Sequence, residues 1–411
     1  MGKLTHSPAA SQGQTFPQLL LQHAASLPGG IAMREKYRGV WRTWSWDEVT
    51  RETRALAAGL RSLGFKKGDV LVVLGDNRPR LYWAICAAQM LGGVALPLCA
   101  DTPGKIVARE VRKYAVRFAL VDEEQHCGKL VEARAAHAEL VHVFLDCVRN
   151  SSSLADLLPG MRSLDEIVAR GRELDQGSPG DVDGEIAAGN STDPAVILVC
   201  PDATGDPSTS AVVQTHAQGV AAARAQVDGH EFPAGEELVA YLPLGSWMDQ
   251  HFSYALPLVC GLTVSCPESV DTVPIDMREV GPTLHAMPCK MLVRLHASTL
   301  HRMSSASALQ RALFDFFTGS ATRAGGGRSR VAPVRWLGEI LFHAPLRDVL
   351  GLSRTKVMFV GDADGGEEAL HFFRAIGLRL ANATDWQDHC EPVVCMHGAC
   401  GTPSAVTGSE K

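Results

Sequence analysis

Short runs of apolar residues, separated by helix-like segments, constrain the fold of this chain more than any other sequence feature. Such runs occupy residues 70–74, 94–98, 117–121 and 195–200. A run that is apolar at every position, rather than at every second one, is typical of a strand buried on both faces of a parallel sheet. Helical patterns over 79–91 and 103–114 separate the first three runs. The alternation therefore predicts an α/β fold with mostly parallel sheets flanked by helices.

The first part of the chain also carries clear local signals. Residues 1–12 predict a disordered leader, and Thr15 precedes a helical pattern over 18–25 that it is predicted to cap. Aromatic and polar residues alternate over 37–46 around a Gly, which predicts a hairpin, and a long helix is expected from Trp46 onwards.

The remaining organisation follows from changes in composition. Residues 13–390 are predicted to form the folded body, with a Ser- and Gly-rich connector over about 150–190 that contains one short helix near 163–170. A helix is expected to start at Thr215, directly after a loop over 201–210. Residues 391–411 are predicted to be a flexible tail.

Composition excludes several classes of protein. The chain has 411 residues, of which 46% are hydrophobic and 20% charged, so it can bury a large core. The net charge of −6 argues against nucleic acid as a partner. The longest apolar stretch, 84–98, is too short and too interrupted to span a membrane. With no secretory signal and 11 scattered cysteines, we expect a cytoplasmic location; peripheral membrane contact and a homo-oligomer stay open.

The loop that follows the run 195–200 is the first candidate site. It is rich in Gly, Pro, Ser and Thr, and backbone N–H groups of such a loop between a strand and a helix can surround a polyphosphate. However, the loop contains no Lys or Arg, and Asp202 and Asp206 add negative charge. From residue types alone, an ordinary solvent-exposed loop is the stronger interpretation.

Several ordered segments resemble the adenylate-forming acyl-CoA synthetases, in particular the branch that acts on long-chain fatty acids. The matching segments are Thr204-Gly205-Asp206-Pro207, Thr215-His216, Tyr241-Leu242-Pro243-Leu244, Asp249-Gln250, Arg278-Glu279-Val280-Gly281-Pro282-Thr283 and Phe372-Phe373-Arg374-Ala375-Ile376-Gly377. Together they extend over roughly residues 15 to 390 in the order that the family has them.

The resemblance implies a fold, an activity and a set of site residues. The fold is the large N-terminal domain of an adenylate-forming enzyme. The activity is ATP- and Mg²⁺-dependent formation of an acyl-adenylate from a fatty acid or another carboxylate, followed by transfer of the acyl group to CoA. Asp388 is implied as the catalytic carboxylate linked to magnesium, and Trp247 as a substrate contact. The nucleotide contacts implied are Thr204, Gly205, Asp206, Pro207, Thr215, His216, Gly361, Ala363, Thr384 and Asp385.

This sequence also departs from the family pattern. Ser208 stands where the family has its loop lysine. The C-terminal domain of the family, with its catalytic lysine, is expected to be missing, because no counterpart is found after Glu391 in this sequence. Both departures predict impaired catalysis. The alternatives are a non-catalytic relative that binds nucleotide, acyl chains or a protein, and a truncated product without a role. The Cys and His residues over 389–400 match no common zinc spacing, so no metal site of the protein's own is predicted.

Overall fold

The structure is a computed structural model that describes residues 13–147, 158, 160–178, 180–200, 210–227, 235–305, 307, 311–312, 338–361, 366–383 and 391–392. The predicted leader and nearly all of the predicted tail lie outside these residues. The strands are β1 Ile31–Tyr37, β2 Val40–Ser45, β3 Val70–Gly75, β4 Val94–Cys99, β5 Phe118–Glu123, β6 His142–Cys147, β7 Arg162–Ser163, β8 Pro194–Cys200, β9 Ser210–Thr215, β10 Glu237–Val239, β11 Thr263–Cys266, β12 Leu284–Pro288, β13 Val357–Gly361, β14 Leu380–Asn382 and β15 Glu391–Pro392.

Helices cover both faces of the sheets. They are α1 Phe16–Ser26, α2 Trp46–Ser62, α3 Pro79–Met90, α4 Gly104–Lys113, α5 Cys127–Ala136, α6 Leu164–Gly177, α7 Gly180–Ala188, α8 His216–Val227, α9 (Trp247–Asp249, a π-helical Gln250–Ala255 and Leu256–Cys260), α10 Val273–Val280, α11 Cys289–Ser304, α12 (a π-helical Glu339–His343 and Ala344–Val349) and α13 Glu367–Ala375.

The main sheet has eight strands in the order β15-β9-β8-β4-β3-β5-β6-β7. All neighbouring pairs from β8 to β7 are parallel, and Val72 of β3 lies between Leu96 of β4 and Ala119 of β5. Val72 and Leu96 are fully buried, as expected for strands covered on both faces. The predicted α/β fold with mostly parallel sheets is confirmed.

A second layer consists of two smaller sheets, β10-β11-β1-β2 and β12-β13-β14. Every pair in them is parallel except the β1–β2 hairpin. The backbone N–H of Thr283, just before β12, donates to the Glu237 carbonyl of β10 at 2.9 Å, so the two sheets adjoin. Leu198 of β8 and Gly361 of β13, which belong to different sheets, both lie close to Trp247.

Local signals in the first fifty residues act as predicted. The Thr15 side chain and Gln18 form a reciprocal capping box at the start of α1. In the hairpin, Arg38 and Gly39 have φ values of 49° and 76°, the left-handed pair that a two-residue turn between twisted strands requires.

Two predicted segments differ from the structure. The loop after β8 does not lead directly into a helix, because β9 runs back antiparallel to β8 before α8 begins. In addition, the helix expected near 163–170 extends to Gly177 as α6, and α7 follows it. Gly171 of α6 lies against the backbone of α2 at Ala55 and Gly59, so this part of the predicted connector packs closely on the body of the protein.

Candidate nucleotide and acyl site

The candidate site lies where β8 and β13 end and where the segment from Trp247 to Ala255 passes between them. Most of the residues predicted to bind nucleotide lie outside the described residues, namely Thr204, Gly205, Asp206, Pro207, Ala363, Thr384 and Asp385. The predicted catalytic carboxylate, Asp388, lies outside them as well. The predicted contacts that the structure does describe are Trp247, Gly361, Thr215 and His216.

A small pocket borders this segment. It is lined by Leu198 of β8, Gln214 of β9, Gly219 and Ala222 of α8, and Trp247, His251 and Ala255 of α9. Its volume of about 10 Å³ holds no more than a single water molecule. The described lining carries neither Lys, Arg, Asp nor Glu. These residues alone therefore do not fit a nucleoside triphosphate with Mg²⁺, which needs cations or carboxylates close by.

Trp247 and Gly361 come together although 114 positions separate them in the chain. A methyl group on Gly361 would lie 2.9 Å from Met248 Sδ and 3.6 Å from Trp247 Cζ2. Glycine at the end of β13 therefore permits the close approach of α9. The structure thus brings the predicted substrate residue beside one predicted nucleotide residue.

Asp249 holds this segment in place from the other side. Its side chain is fully buried, and Oδ1 accepts hydrogen bonds from the Tyr82 hydroxyl at 2.7 Å and from Asn77 Nδ2 at 2.9 Å. Gln250 Nε2 donates to Oδ2 at 3.1 Å. Burial raises the pKa of Asp249 to about 7, against the lowering effect of these donors. Asp249 belongs to the Asp249-Gln250 pair on which the family resemblance rests, but the sequence did not predict it as a site residue.

Thr215 and His216 lie at the other end of the β8–β9 pair. Thr215 pairs with Pro194, whereas Ser210 pairs with Cys200, so the two residues are roughly 20 Å along the strands from the start of the predicted phosphate loop. Thr215 Oγ1 accepts from the Gln218 N–H at 3.2 Å and so caps α8. This position does not support direct contact with phosphates bound at that loop.

His216 has a structural environment as well. It is buried, and its Nδ1 accepts a hydrogen bond from the Phe16 N–H at 3.2 Å. Burial lowers the pKa of His216 to about 4, so the ring is neutral at neutral pH and can accept this bond. His216 therefore joins the first turn of α1 to α8.

Comparison with known families decides what kind of protein carries this arrangement. Residues 20–384 match the AMP-binding enzyme family. The chain belongs to that family. Its curated relatives include the long-chain-fatty-acid–CoA ligase FadD15 of Mycobacterium tuberculosis, 24% identical over 88% of this chain, and the long-chain-fatty-acid–CoA ligase ACSBG1 of Homo sapiens, 21% identical over 85%. The chain spans 58% and 48% of the lengths of these two relatives.

Solved structures of AMP-binding proteins share the fold. The adenylation domain of a carboxylate reductase from Mycobacterium chelonae has a TM-score of 0.66 at 13% identity. The alignment covers 90% of this chain and 57% of the chain of that structure. The adenylation domain of a carboxylic acid reductase from Segniliparus rugosus, in complex with AMP and a co-purified carboxylic acid, has a TM-score of 0.63 at 14% identity and covers 89% and 59%. At these identities the likeness shows the architecture alone.

Among the described residues, none of the helices combines the length and the hydrophobicity that a membrane span requires.

Proposed function

We propose that this chain is a relative of the long-chain fatty acid–CoA ligases whose adenylation activity is strongly impaired. In that reaction a carboxylate oxygen attacks the α-phosphorus of ATP and pyrophosphate leaves, so negative charge develops that cations must stabilise. The observation that carries the proposal is the sequence of residues 201–210, the loop after β8, which contains neither Lys nor Arg. The described lining of the adjacent pocket beside β8 adds no cationic side chain.

The sequence of the loop supports the same conclusion. Ser208 replaces the lysine that the family resemblance leads us to expect, and Asp202 and Asp206 place like charges near a bound triphosphate. Removing one well-placed stabilising donor typically lowers a turnover rate by about 10²–10³. Asp388 is the proposed remaining carboxylate for Mg²⁺, and CoA the proposed acceptor of the acyl group.

Radiolabelled pyrophosphate exchange into ATP tests the proposal directly. The purified chain is assayed with Mg²⁺ and saturated fatty acids of several chain lengths, and an intact fatty acid–CoA ligase serves as the positive control. We expect no exchange above background for any chain length. Exchange that depends on fatty acid and is abolished by Asp388→Ala contradicts impaired catalysis and supports an active ligase.

A second candidate function is binding without catalysis. Leu198, Trp247 and Ala255 give the pocket an apolar wall, which favours an acyl chain over a triphosphate, and the pocket of about 10 Å³ must widen to admit one. Calorimetric titration with ATP, with and without Mg²⁺, and separately with dodecanoate distinguishes the two. Saturable binding of dodecanoate without ATP binding supports an acyl-binding relative. Cytoplasmic location, peripheral membrane contact and homo-oligomerisation stay predictions.

A further inference from the structure

A second cleft lies beside the β1–β2 hairpin. Its volume is about 540 Å³, and its lining comes from the hairpin, from the helices α2, α3 and α6, and from the end of β6. Its aromatic wall consists of Tyr37, Trp44 and Trp83. Trp44 and Trp83 make an edge-to-face contact at 5.5 Å. The volume falls within the range of small-molecule sites, about 300–1,000 Å³.

Four arginines line the cleft, and three of them are neutralised by carboxylates. Arg80 pairs with Asp146 at 2.9 Å and with Asp165 at 2.6 Å, and Arg172 pairs with Glu52 at 2.8 Å. Arg78, in the loop after β3, pairs with Glu123 at the end of β5. These pairs fix the walls of the cleft and leave little charge to attract a ligand.

Arg42 is different. Among the residues that the structure describes, no carboxylate oxygen lies within 4 Å of its guanidinium, and its side chain is exposed. Its Cζ lies 5.1 Å from the centroid of the Tyr37 ring, which holds the group beside the aromatic wall. The cross-strand neighbour on the same face is Glu35, whose carboxylate lies 3.9 Å from the guanidinium of Arg78. Burial raises the pKa of Glu35, and the positive charges of Arg78, Arg42 and Arg80 lower it in part.

We propose that this cleft binds a monoanionic organic carboxylate with a planar apolar group. Arg42 receives the carboxylate through its two parallel N–H donors, and the planar group packs against Trp44 and Trp83. A dianionic phosphate fits less well, since the other three arginines already have carboxylate partners. The proposal does not depend on the proposed ligase relationship, because none of these residues lines the pocket beside β8.

The test uses 2-naphthoate as the probe in isothermal titration calorimetry of the full chain. We expect saturable 1:1 binding, at least tenfold weaker for Arg42→Gln, because a charge-assisted hydrogen-bond pair is lost. Arg38→Gln is the matched control: Arg38 stacks on the same Tyr37 ring at 5.3 Å but does not line the cleft, and we expect a change within about twofold. Trp44→Ala should also weaken binding, and Arg42→Lys should fall between wild type and Arg42→Gln.

The competing outcomes are separable. Equal affinity for wild type and Arg42→Gln, or no saturable heat at all, overturns the proposal. Affinity that falls with Trp247→Leu but not with Arg42→Gln shows that the probe occupies the pocket beside β8, and this also overturns it. Tighter binding of tetramethylammonium or inorganic phosphate than of 2-naphthoate contradicts the assigned ligand class. Circular dichroism of each variant confirms that it is folded before its affinity is compared.

Discussion

The Tyr82 hydroxyl donates a hydrogen bond to Asp249 Oδ1 at 2.7 Å, and this contact joins α3 to the segment that carries Trp247. Asn77, in the loop after β3, donates to the same oxygen. The carboxyl is completely enclosed, so water cannot replace a donor that is lost. The position of the candidate site therefore depends on a buried polar contact with the main sheet.

The burial of the Asp249 carboxyl should affect how the unfolding free energy depends on pH. Burial raises the pKa of Asp249 from 3.8 to about 7 in the folded state, so the folded protein holds the proton more tightly than the unfolded chain. Its contribution to stability is present at low pH and is lost as the pH rises through about 7. Relative to wild type, we expect Asp249→Asn to gain about 2–4 kcal/mol in unfolding free energy between pH 4 and pH 8, measured by urea denaturation.

The substitution is well suited to this comparison. An asparagine keeps an oxygen for Tyr82 and Asn77. After rotation of the Gln250 amide, the asparagine amide can donate to Gln250 Oε1, a buried acceptor that has no partner among the described residues. Tyr82→Phe is the companion variant, and it should lower stability by about 1–3 kcal/mol at either pH. An Asp249→Asn difference that stays constant with pH would show that the carboxyl does not titrate in this range.

The contribution of His216 to the unfolding free energy should depend on pH in the opposite direction. Because burial lowers its pKa from 6.5 to about 4, the unfolded chain binds the proton more tightly, and stability is lost as the pH falls below about 6.5. The expected loss is about 2–3 kcal/mol between pH 7 and pH 4. His216→Asn keeps an acceptor near the Phe16 N–H but cannot titrate, so this loss should disappear. The exposed His371→Asn is the control, and an equal effect of both variants contradicts the assignment.

Two glycines in neighbouring helices should respond oppositely to alanine. A methyl group on Gly171 of α6 would lie 1.7 Å from the Ala55 carbonyl oxygen of α2, so the helices must separate. We expect Gly171→Ala to lower stability by about 3 kcal/mol or more, as overpacking does when the obstacle is backbone. A methyl group on Gly184 of α7 meets nothing within 4 Å, and Gly184→Ala should raise stability by about 0.5–1 kcal/mol.

Thermal unfolding of these two variants measures both effects. The melting temperature should fall for Gly171→Ala and rise for Gly184→Ala. If Gly171→Ala melts at the wild-type temperature, α6 does not pack on α2 as described, and residues 150–190 then act as the loosely attached connector that their composition predicts.

The sequence predicted features that depend on neighbouring residues. It did not predict features that depend on contacts between residues far apart in the chain. The runs at 70–74 and 94–98 are buried parallel strands because their apolar character leaves few other options. By contrast, β9 pairs along its length with β8, and no local sequence pattern predicts that pairing. The approach of Trp247 to Gly361 joins distant segments, and the role of Asp249 depends on Tyr82 and Asn77, so neither could be derived from spacing.

The last prediction concerns the loop that carries the proposed loss of activity. If the missing lysine weakens nucleotide binding, Ser208→Lys should restore part of it. A charge-assisted hydrogen bond contributes about 1.5–3 kcal/mol, so the affinity for ATP with Mg²⁺ should rise roughly 10- to 100-fold. Calorimetric titration of wild type and variant at one salt concentration measures the change, since surface charge effects depend on screening.

A lysine placed elsewhere provides the control for net charge. Ser178 is exposed at the end of α6, and Ser178→Lys changes the charge of the protein by the same amount. We expect Ser178→Lys to leave the affinity for ATP within about twofold, because an exposed charge outside the proposed loop is screened by solvent and salt. Equal gains for both variants would indicate non-specific attraction, and no gain for Ser208→Lys would place the nucleotide away from this loop. Pyrophosphate exchange should stay far below that of an intact ligase even in Ser208→Lys, because Asp202 and Asp206 still oppose the charge that develops on the phosphates.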